Sequence, residues 1–376
     1  MKVIYATNSD LGKHGNIGFR TYQVAKEAYK RKYLKKIISR GNCQTIIPKT
    51  FIKKVFPLYR PFNLALTAIN QFITLKFPAY LINLNLFGIL AKNKVEKCDI
   101  FHIYDYSEPL LKKSKKIGNI NILDTQMAHP ETSYIMQKED WGASEKKTKE
   151  FFKKFKKMLS YADYIVASSD FVIKTYVNAG VPKHKMIKLN HGVDITKFKK
   201  NKQKESSKFI CLYVGMITNR KGIKYLLEAW KNAKLKNAEL IFCGRISPDM
   251  KKIVNKNKDN SIKFKGFVDP VKYYQKSDVF IFPSLFESSA KVLYEAMSSS
   301  LPIITTENAG PAFKDKEAGF IVPIKDAKSI KNKIKILYNS PKLRDKMGNK
   351  GRKITEKLSW KEYGKKMNDF YEKIMK

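Results

Sequence analysis

The stretch DVFIFPSLFESSAKVLYEAM (278–297) decides how the rest of the chain is read. After Asp278 an uncharged apolar run reads as a buried strand, and it stops at Pro283, which cannot donate to a sheet ladder. Val292, Leu293, Ala296 and Met297 then recur at helical spacing, and Ser288 or Ser289 stands where an N-cap serine belongs. A strand that passes through a short turn into a helix is the repeating unit of a parallel sheet. The turn leaves first-turn amide donors at the strand's carboxyl end, where a phosphate is favourably held. Glu287 precedes the helix, and Glu295 lies in its second turn, leaning back toward the helix N-terminus. The two acids read either as a ligand cradle or as a helix-start acid and an acid on a solvated face.

The same alternation extends outward in both directions. FICLYVG (209–215), AELIFCG (238–244), IKFKGF (262–267) and LPIITT (301–306) read as strands, with a helix over 223–233. In the front half KVIYAT (2–7), CQTIIP (43–48), CDIFHIY (98–104), NINILDT (119–125) and DYIVAS (163–168) read the same way. Helical spacing recurs in RTYQVAKEAYKRKY (20–33) and KEFFKKFKKMLSYA (149–162). LNHGVDITKF (189–198) and the polar run KKNKQKESSK (199–208) separate the halves. A chain of 376 residues is long enough for two cores. The expected fold is α/β, with two tandem Rossmann-like domains facing across a cleft and ligands at the carboxyl ends of the strands.

Apolar residues make up 43% of the chain, which supports folded cores and argues against general disorder. Lys and Arg number 75 against 33 Asp and Glu, a net charge of +42. Such a balance attracts polyanions, yet the cations are mostly lysines scattered along the chain, as background composition also produces. No specific nucleic-acid partner is expected; an anionic membrane surface is the favoured alternative. Four dispersed cysteines without CxxC spacing suggest neither a zinc site nor a disulfide scaffold, and fit a reducing cytoplasm. The start MKVIYATN reads as a strand and lacks a signal peptide's long apolar core. Residues 61–92 carry only Lys76 and Lys92 as charges, but recurrent Asn and Gln and Pro78 favour buried or membrane-surface helices over a spanning one. KKTKEFFKKFKKML (146–159) sets Phe151, Phe152, Phe155, Met158 and Leu159 on one face and lysines on the other. That face either packs on a sheet or lies in an anionic interface.

YVGMITNRKGIKYLLEAW (213–230) repeats the strand, loop and helix arrangement, with Arg220 and Lys221 at the turn. Two cations beside a glycine suit a diphosphate and the charge it gains as a leaving group; solvated surface cations are the alternative. In GKHGNIGFR (12–20) the spacing of Gly12, Gly15 and Gly18 does not match GxGxxG, so close approach to a ligand is expected there but not NAD. His102 and His129 each fall near the carboxyl end of an expected strand, where both ligand-binding and structural roles stay open. HExxH, GxSxG, a Walker lysine loop and a DxD pair are all missing, which removes the usual supports for metal hydrolases, serine hydrolases and P-loop enzymes.

These marks together resemble the retaining, nucleotide-sugar-dependent glycosyltransferases of family four (glycosyl transferases group 1), over nearly the whole chain. PSLFESSAKVLYEAMSSSLPIITTENAG (283–310) resembles that family's Glu-x7-Glu signature. HGVDITKF, VGMITNRKG and ADYIVASSDFVIKTYVNAGVPKHKM support it, and LSWKEYGKKMNDFYEKI resembles the final helix that crosses back onto the first domain. The resemblance implies the GT-B fold, with an acceptor domain over 1–190, a nucleotide-sugar domain over 191–357 and a crossover helix over 358–376. It implies that Glu295 binds the ribose and Glu287 the donor sugar's hydroxyls, while Ser289, Ala290 and Lys291 approach phosphate or sugar. Lys221, with Arg220, would hold the diphosphate, His129 would sit near the reacting sugar, and Gly15 and Gly18 would close on donor or acceptor. His129, Lys221 and Glu287 are the expected catalytic residues.

Two departures stand out. The family commonly has Arg where this chain has Met216, and Gly-Phe-Gly where it has Ser288, Ser289 and Ala290. The implied reaction is a front-face displacement by a hexosyltransferase of polysaccharide or glycolipid biosynthesis, with no cofactor and no metal. The acceptor would be a glycan or a lipid-linked one, and the location cytoplasmic, peripheral on the inner face of the cell membrane. A basic membrane- or nucleic-acid-binding protein without transferase activity, and an epimerase or phosphorylase on the same fold, are the competing readings.

Overall fold

A computed structural model describes residues 1–13, 15, 17–55, 86–125, 127–136, 145–200, 207–257 and 259–376. The chain divides into two compact units. The first holds Met1–Ser168, Ile173–Leu189 and Tyr363–Lys376; the second holds Ser169–Val172 and Asn190–Glu362. Most of the apolar 61–92 segment and most of the polar 199–208 run fall outside the described residues.

The first unit is built on β1 (Val3–Leu11), β2 (Leu34–Asn42), β3 (Ile52–Lys54), β4 (Ile100–Ile103), β5 (Ile120–Asp124), β6 (Tyr164–Ala167) and β7 (Met186–Lys188). These form one parallel sheet in the order β3-β2-β1-β4-β5-β6-β7. The second unit carries β8 (Phe209–Val214), β9 (Ala238–Cys243), β10 (Ile262–Phe264), β11 (Val279–Phe282), β12 (Ile303–Thr306) and β13 (Gly319–Val322). Its parallel sheet runs β10-β9-β8-β11-β12-β13. Helices cover both faces of such sheets, so the strands are continuous apolar runs, as FICLYV and VFIF are. Strand order reverses at β1 and β4 in one sheet and at β8 and β11 in the other; these switch points are where a doubly wound fold opens a ligand crevice. The α/β, two-Rossmann expectation is met.

Two readings need correction. CQTIIP (43–48) is not a strand. The Gln44 side chain donates to Ile47 O at 3.0 Å and accepts from Ile47 N at 2.7 Å, while Gln44 N donates to Asn42 Oδ1 at 3.2 Å. These local bonds replace a sheet ladder with a turn. The strand there is LKKIISRGN, β2, whose Lys36 ammonium reaches out to Glu96 at 2.7 Å. His102 is the next-to-last residue of β4, but it faces the core and not a ligand. It is fully buried, stacked on Tyr104 and bonded through Nδ1 to the Tyr371 hydroxyl at 2.5 Å, and burial pushes its pKa down to about 3. That is a core histidine.

The helix Glu145–Ser160 buries Phe155, Met158 and Leu159, with Phe155 edge-on to Tyr106 and His129 and Phe152 edge-on to Tyr134. Its apolar face is used in packing. The last helix is Trp360–Ile374, and the segment Tyr363–Lys376 belongs to the first unit. There Asn368 donates to Val24 O at 3.1 Å, and Arg31 pairs with Asp369 at 2.8 Å and Glu372 at 2.9 Å. Among the described residues no helix is long and apolar enough to cross a membrane.

Candidate active site

In the second unit the turn after β8 is anchored to the loop after β11. Asn219–Lys221 form one 3₁₀ turn, and Gly222 then takes φ +70 before the helix Ile223–Ala233. A Cβ on Gly222 would lie 2.1 Å from Pro283 O, so only glycine allows these two loops to touch. Leu285 N donates to Arg220 O at 2.9 Å across the same contact. The arrangement presents Arg220, Lys221 and Glu287 together at the switch point.

Arg220 Nη1 donates to Phe286 O at 2.7 Å and to Glu287 Oε1 at 2.5 Å. Lys221 Nζ donates to the same Oε1 and lies 5.0 Å from the centre of the Phe282 ring. The Lys221 side chain is 13% exposed and that of Glu287 18%. Burial holds the Lys221 ammonium below its ordinary pKa, against the upward pull of Glu287. Ion pairs this poorly solvated interact more strongly than surface pairs.

The segment after Glu287 is held by the loop that follows β12. Glu287 N donates to Asn308 O and Ala290 N to Ala309 O, each at 2.9 Å, and Asn308 Nδ2 reaches Leu285 O at 2.8 Å. The helix Lys291–Ser298 starts from Ala290, with no side-chain cap. The expected serine N-cap is therefore corrected. Ser289 Oγ is engaged with the Tyr294 hydroxyl at 2.7 Å and with Gly310 O at 3.3 Å, so it is not available to the helix amides. Ser288 O accepts from Ser169 Oγ at 2.5 Å.

Glu295 is half-buried and does not sit on a solvated face. Tyr274 donates its hydroxyl to Glu295 Oε2 at 2.9 Å. Burial raises the Glu295 pKa, opposed by that hydrogen bond and by Lys291 and Lys197. The site thus offers one carboxylate tied to two cations and a second fixed by a tyrosine. Such a set can receive a polyanion and hydrogen-bond neutral hydroxyls.

Along the same carboxyl edge, sequence reasoning passed over an exposed aromatic. Phe267, just beyond β10, is 79% exposed, with the Arg245 guanidinium 5.0 Å from its ring centre. Met216, just beyond β8, is 56% exposed. An aromatic after KFKG was the available signal. The Arg220 side chain is engaged by Glu287 and Phe286 O.

In the first unit, His129 is buried beyond the end of β5. Its ring stands edge-on to Phe155 and Tyr176, and Nδ1 accepts from Glu131 N at 3.3 Å. That acceptor role leaves the proton on Nε2, and burial pushes the pKa down to about 4. Gly15 is exposed at φ +81, while Gly18 is buried in the helix Ile17–Lys30 and its carbonyl accepts from Gly12 N at 3.0 Å. Arg20 and Asp124, both buried, form an ion pair joined by the Tyr363 hydroxyl, a cluster the sequence reading did not single out. Among the described residues no group of three or more His, Cys, Asp or Glu could hold a metal ion.

Residues 194–354 match the family model described as "Glycosyl transferases group 1". The chain is 28% identical over 233 residues to the capsular polysaccharide biosynthesis glycosyltransferase CapM of Staphylococcus aureus, covering 55% of this chain and 61% of that protein. The chain therefore spans less than two thirds of this curated relative's length. Two solved structures match across almost the whole chain. Sucrose-phosphate synthase from Thermosynechococcus elongatus has a TM-score of 0.68 at 17% identity, covering 100% of this chain and 99% of that one. HepE from Anabaena in complex with UDP-glucose has a TM-score of 0.69 at 15% identity, covering 99% and 100%. At these identities the likeness is one of fold. With the parallel sheets of both units and the match over 194–354, residues 194–354 belong to the glycosyl transferases group 1 family, on a chain with the GT-B type of fold.

Proposed function

We propose that this protein is a retaining glycosyltransferase that moves a sugar from a nucleotide-sugar donor to a glycan or lipid-linked acceptor. The observation that carries the reading is the convergence of Arg220, Lys221 and Glu287 at the β8–β11 switch point, inside the region matched by the family. Arg220 and Lys221 hold the diphosphate and neutralise the charge that grows on it as it leaves. Glu295 accepts from the ribose hydroxyls, and Glu287 and the 289–291 backbone meet the sugar. Exposed Phe267, with Arg245 against it, offers a face on which a nucleobase stacks.

The acceptor hydroxyl attacks the anomeric carbon on the face from which the diphosphate departs. The new C–O bond forms as the old one breaks, and the hydroxyl proton passes to the leaving phosphate oxygen. The enzyme's contribution is orientation and charge stabilisation, with the cationic role filled by Arg220 and Lys221 rather than by a metal.

HepE was solved with UDP-glucose and CapM is named for capsular polysaccharide biosynthesis, so UDP-sugars and surface-glycan acceptors are the first to test. The net charge of +42 favours work at the anionic inner face of a membrane. A thermal-shift panel of UDP, GDP, ADP and their sugars should give a clear rise in melting temperature for one base. NMR of the product should then show the donor's anomeric configuration. No shift with any nucleotide, and no turnover, would remove the reading; an inverted product would remove the retaining mechanism.

A further inference from the structure

Arg220 Nη1 and Lys221 Nζ donate to one and the same atom, Glu287 Oε1. The oxygen is placed as a phosphate oxygen would be, between a guanidinium and an ammonium. Among the described residues neither cation has an equal alternative partner: Lys221 also lies over the Phe282 ring, and Arg220 also donates to one backbone carbonyl, Phe286 O. The Lys221 and Glu287 side chains are both largely withdrawn from water, so separating them without a substitute strands a poorly solvated charge. A ligand that takes the two cations must replace what Glu287 supplies.

We propose that Glu287 is the resident counter-ion of the Arg220–Lys221 pair, and that it sets the charge a ligand must carry to enter. With Glu287 in place the cluster keeps a single net positive charge, which holds a weakly charged anion poorly. A diphosphate brings enough charge to engage both cations at once and displace the carboxylate. Displacement frees Glu287 to accept from neutral hydroxyls, so this carboxylate becomes available to a sugar only after the diphosphate is seated. Specificity here comes partly from a group that competes with the ligand. The inference rests on the reading that these two cations bind the donor's diphosphate.

Calorimetric titration of the full chain with inorganic pyrophosphate and with orthophosphate tests it. Wild type is expected to favour pyrophosphate. Glu287→Gln, which removes the competing charge, is expected to bind pyrophosphate about tenfold tighter and to narrow the preference over orthophosphate. Equal or weaker pyrophosphate binding by Glu287→Gln overturns the proposal. Should that variant fail to fold, Glu287→Asp, one methylene shorter, is expected to show a gain of about threefold, and its absence is equally decisive. Tighter pyrophosphate binding without any nucleotide-sugar turnover by wild type keeps the counter-ion role and removes the transferase reading. Turnover without tighter binding removes only the counter-ion role.

Discussion

Tyr274 holds Glu295 through its hydroxyl at 2.9 Å, tying the second glutamate of the 287–295 pair to the helix Val271–Lys276 that precedes β11. The carboxylate is therefore oriented before any ligand arrives, at the expense of being half-buried.

That burial raises the Glu295 pKa above its ordinary 4.5. A folded carboxyl with a raised pKa keeps its proton longer than the unfolded chain does. Its contribution to stability is full below the unfolded value and is lost as pH rises through the folded one. Glu295→Gln keeps an acceptor for Tyr274 and carries no charge. In urea titrations it should equal or exceed wild type at pH 7, with the gap closing toward pH 4.5. Its nucleotide affinity should nonetheless fall about tenfold.

Lys221→Ala is expected to lower turnover by about 10²–10³-fold, as losing one donor to a developing anion does. Glu287 keeps Arg220, so the variant should stay folded at 25 °C. Removing Arg220 as well strands Glu287. A double-mutant cycle read by urea unfolding should therefore give a combined loss about 1 kcal/mol larger than the sum of the single losses. Strict additivity would contradict the shared oxygen.

His129 has its pKa pushed down to about 4 by burial, from an ordinary value of 6.5. As pH falls from 6.5 toward 4 the unfolded chain takes up a proton that the folded chain refuses, so stability is lost over that window. The His129 ring resonances should show no titration midpoint above pH 5, and His129→Gln should lose less stability than wild type between pH 7 and pH 5. A midpoint near 6.5 would contradict the buried, neutral imidazole.

Arg20 and Asp124 are an ion pair buried in the first unit, with Tyr363 against both. Arg20→Met leaves Asp124 buried without its cation and should cost about 3–5 kcal/mol in chemical denaturation. Adding Asp124→Leu removes the stranded charge and should restore most of that loss. A double variant no better than the single one would show that the pair itself supplies the stability.

Much of this was legible because parallel strands buried on both faces leave uninterrupted apolar runs. FICLYV, AELIFC and VFIF could hardly be anything else, and the helix Ile223–Ala233 begins where its spacing predicts. β2 was illegible because Lys35 and Lys36 carry their charges to Glu96 on long aliphatic stems, while the apolar CQTIIP beside it was claimed by one glutamine side chain. Glu287 could be nominated from spacing, and so could Arg220 and Lys221. That all three share one oxygen could not be read, since 66 residues separate Lys221 from Glu287. Tyr363 is 239 positions from Asp124, and no local pattern announces such a partner.

The backbone pairing of residues 287 and 290 with 308 and 309 bears on how the site can change over evolutionary time. Only part of the span between the two glutamates is helix; the rest is laid along the β12 loop like a splint. Gly310, at φ +65, completes the splint, because a Cβ there would lie 2.3 Å from Ser288 O. The path of 288–290 is therefore set by main-chain atoms and by one glycine across from it. The buried Ser289 adds a side-chain tie, through the Tyr294 hydroxyl and Gly310 O, to those main-chain bonds. Inserting or deleting a single residue there would throw Glu287 and Glu295 out of register together. A change of length along this span is therefore expected to disturb the site more than a substitution at Ser288.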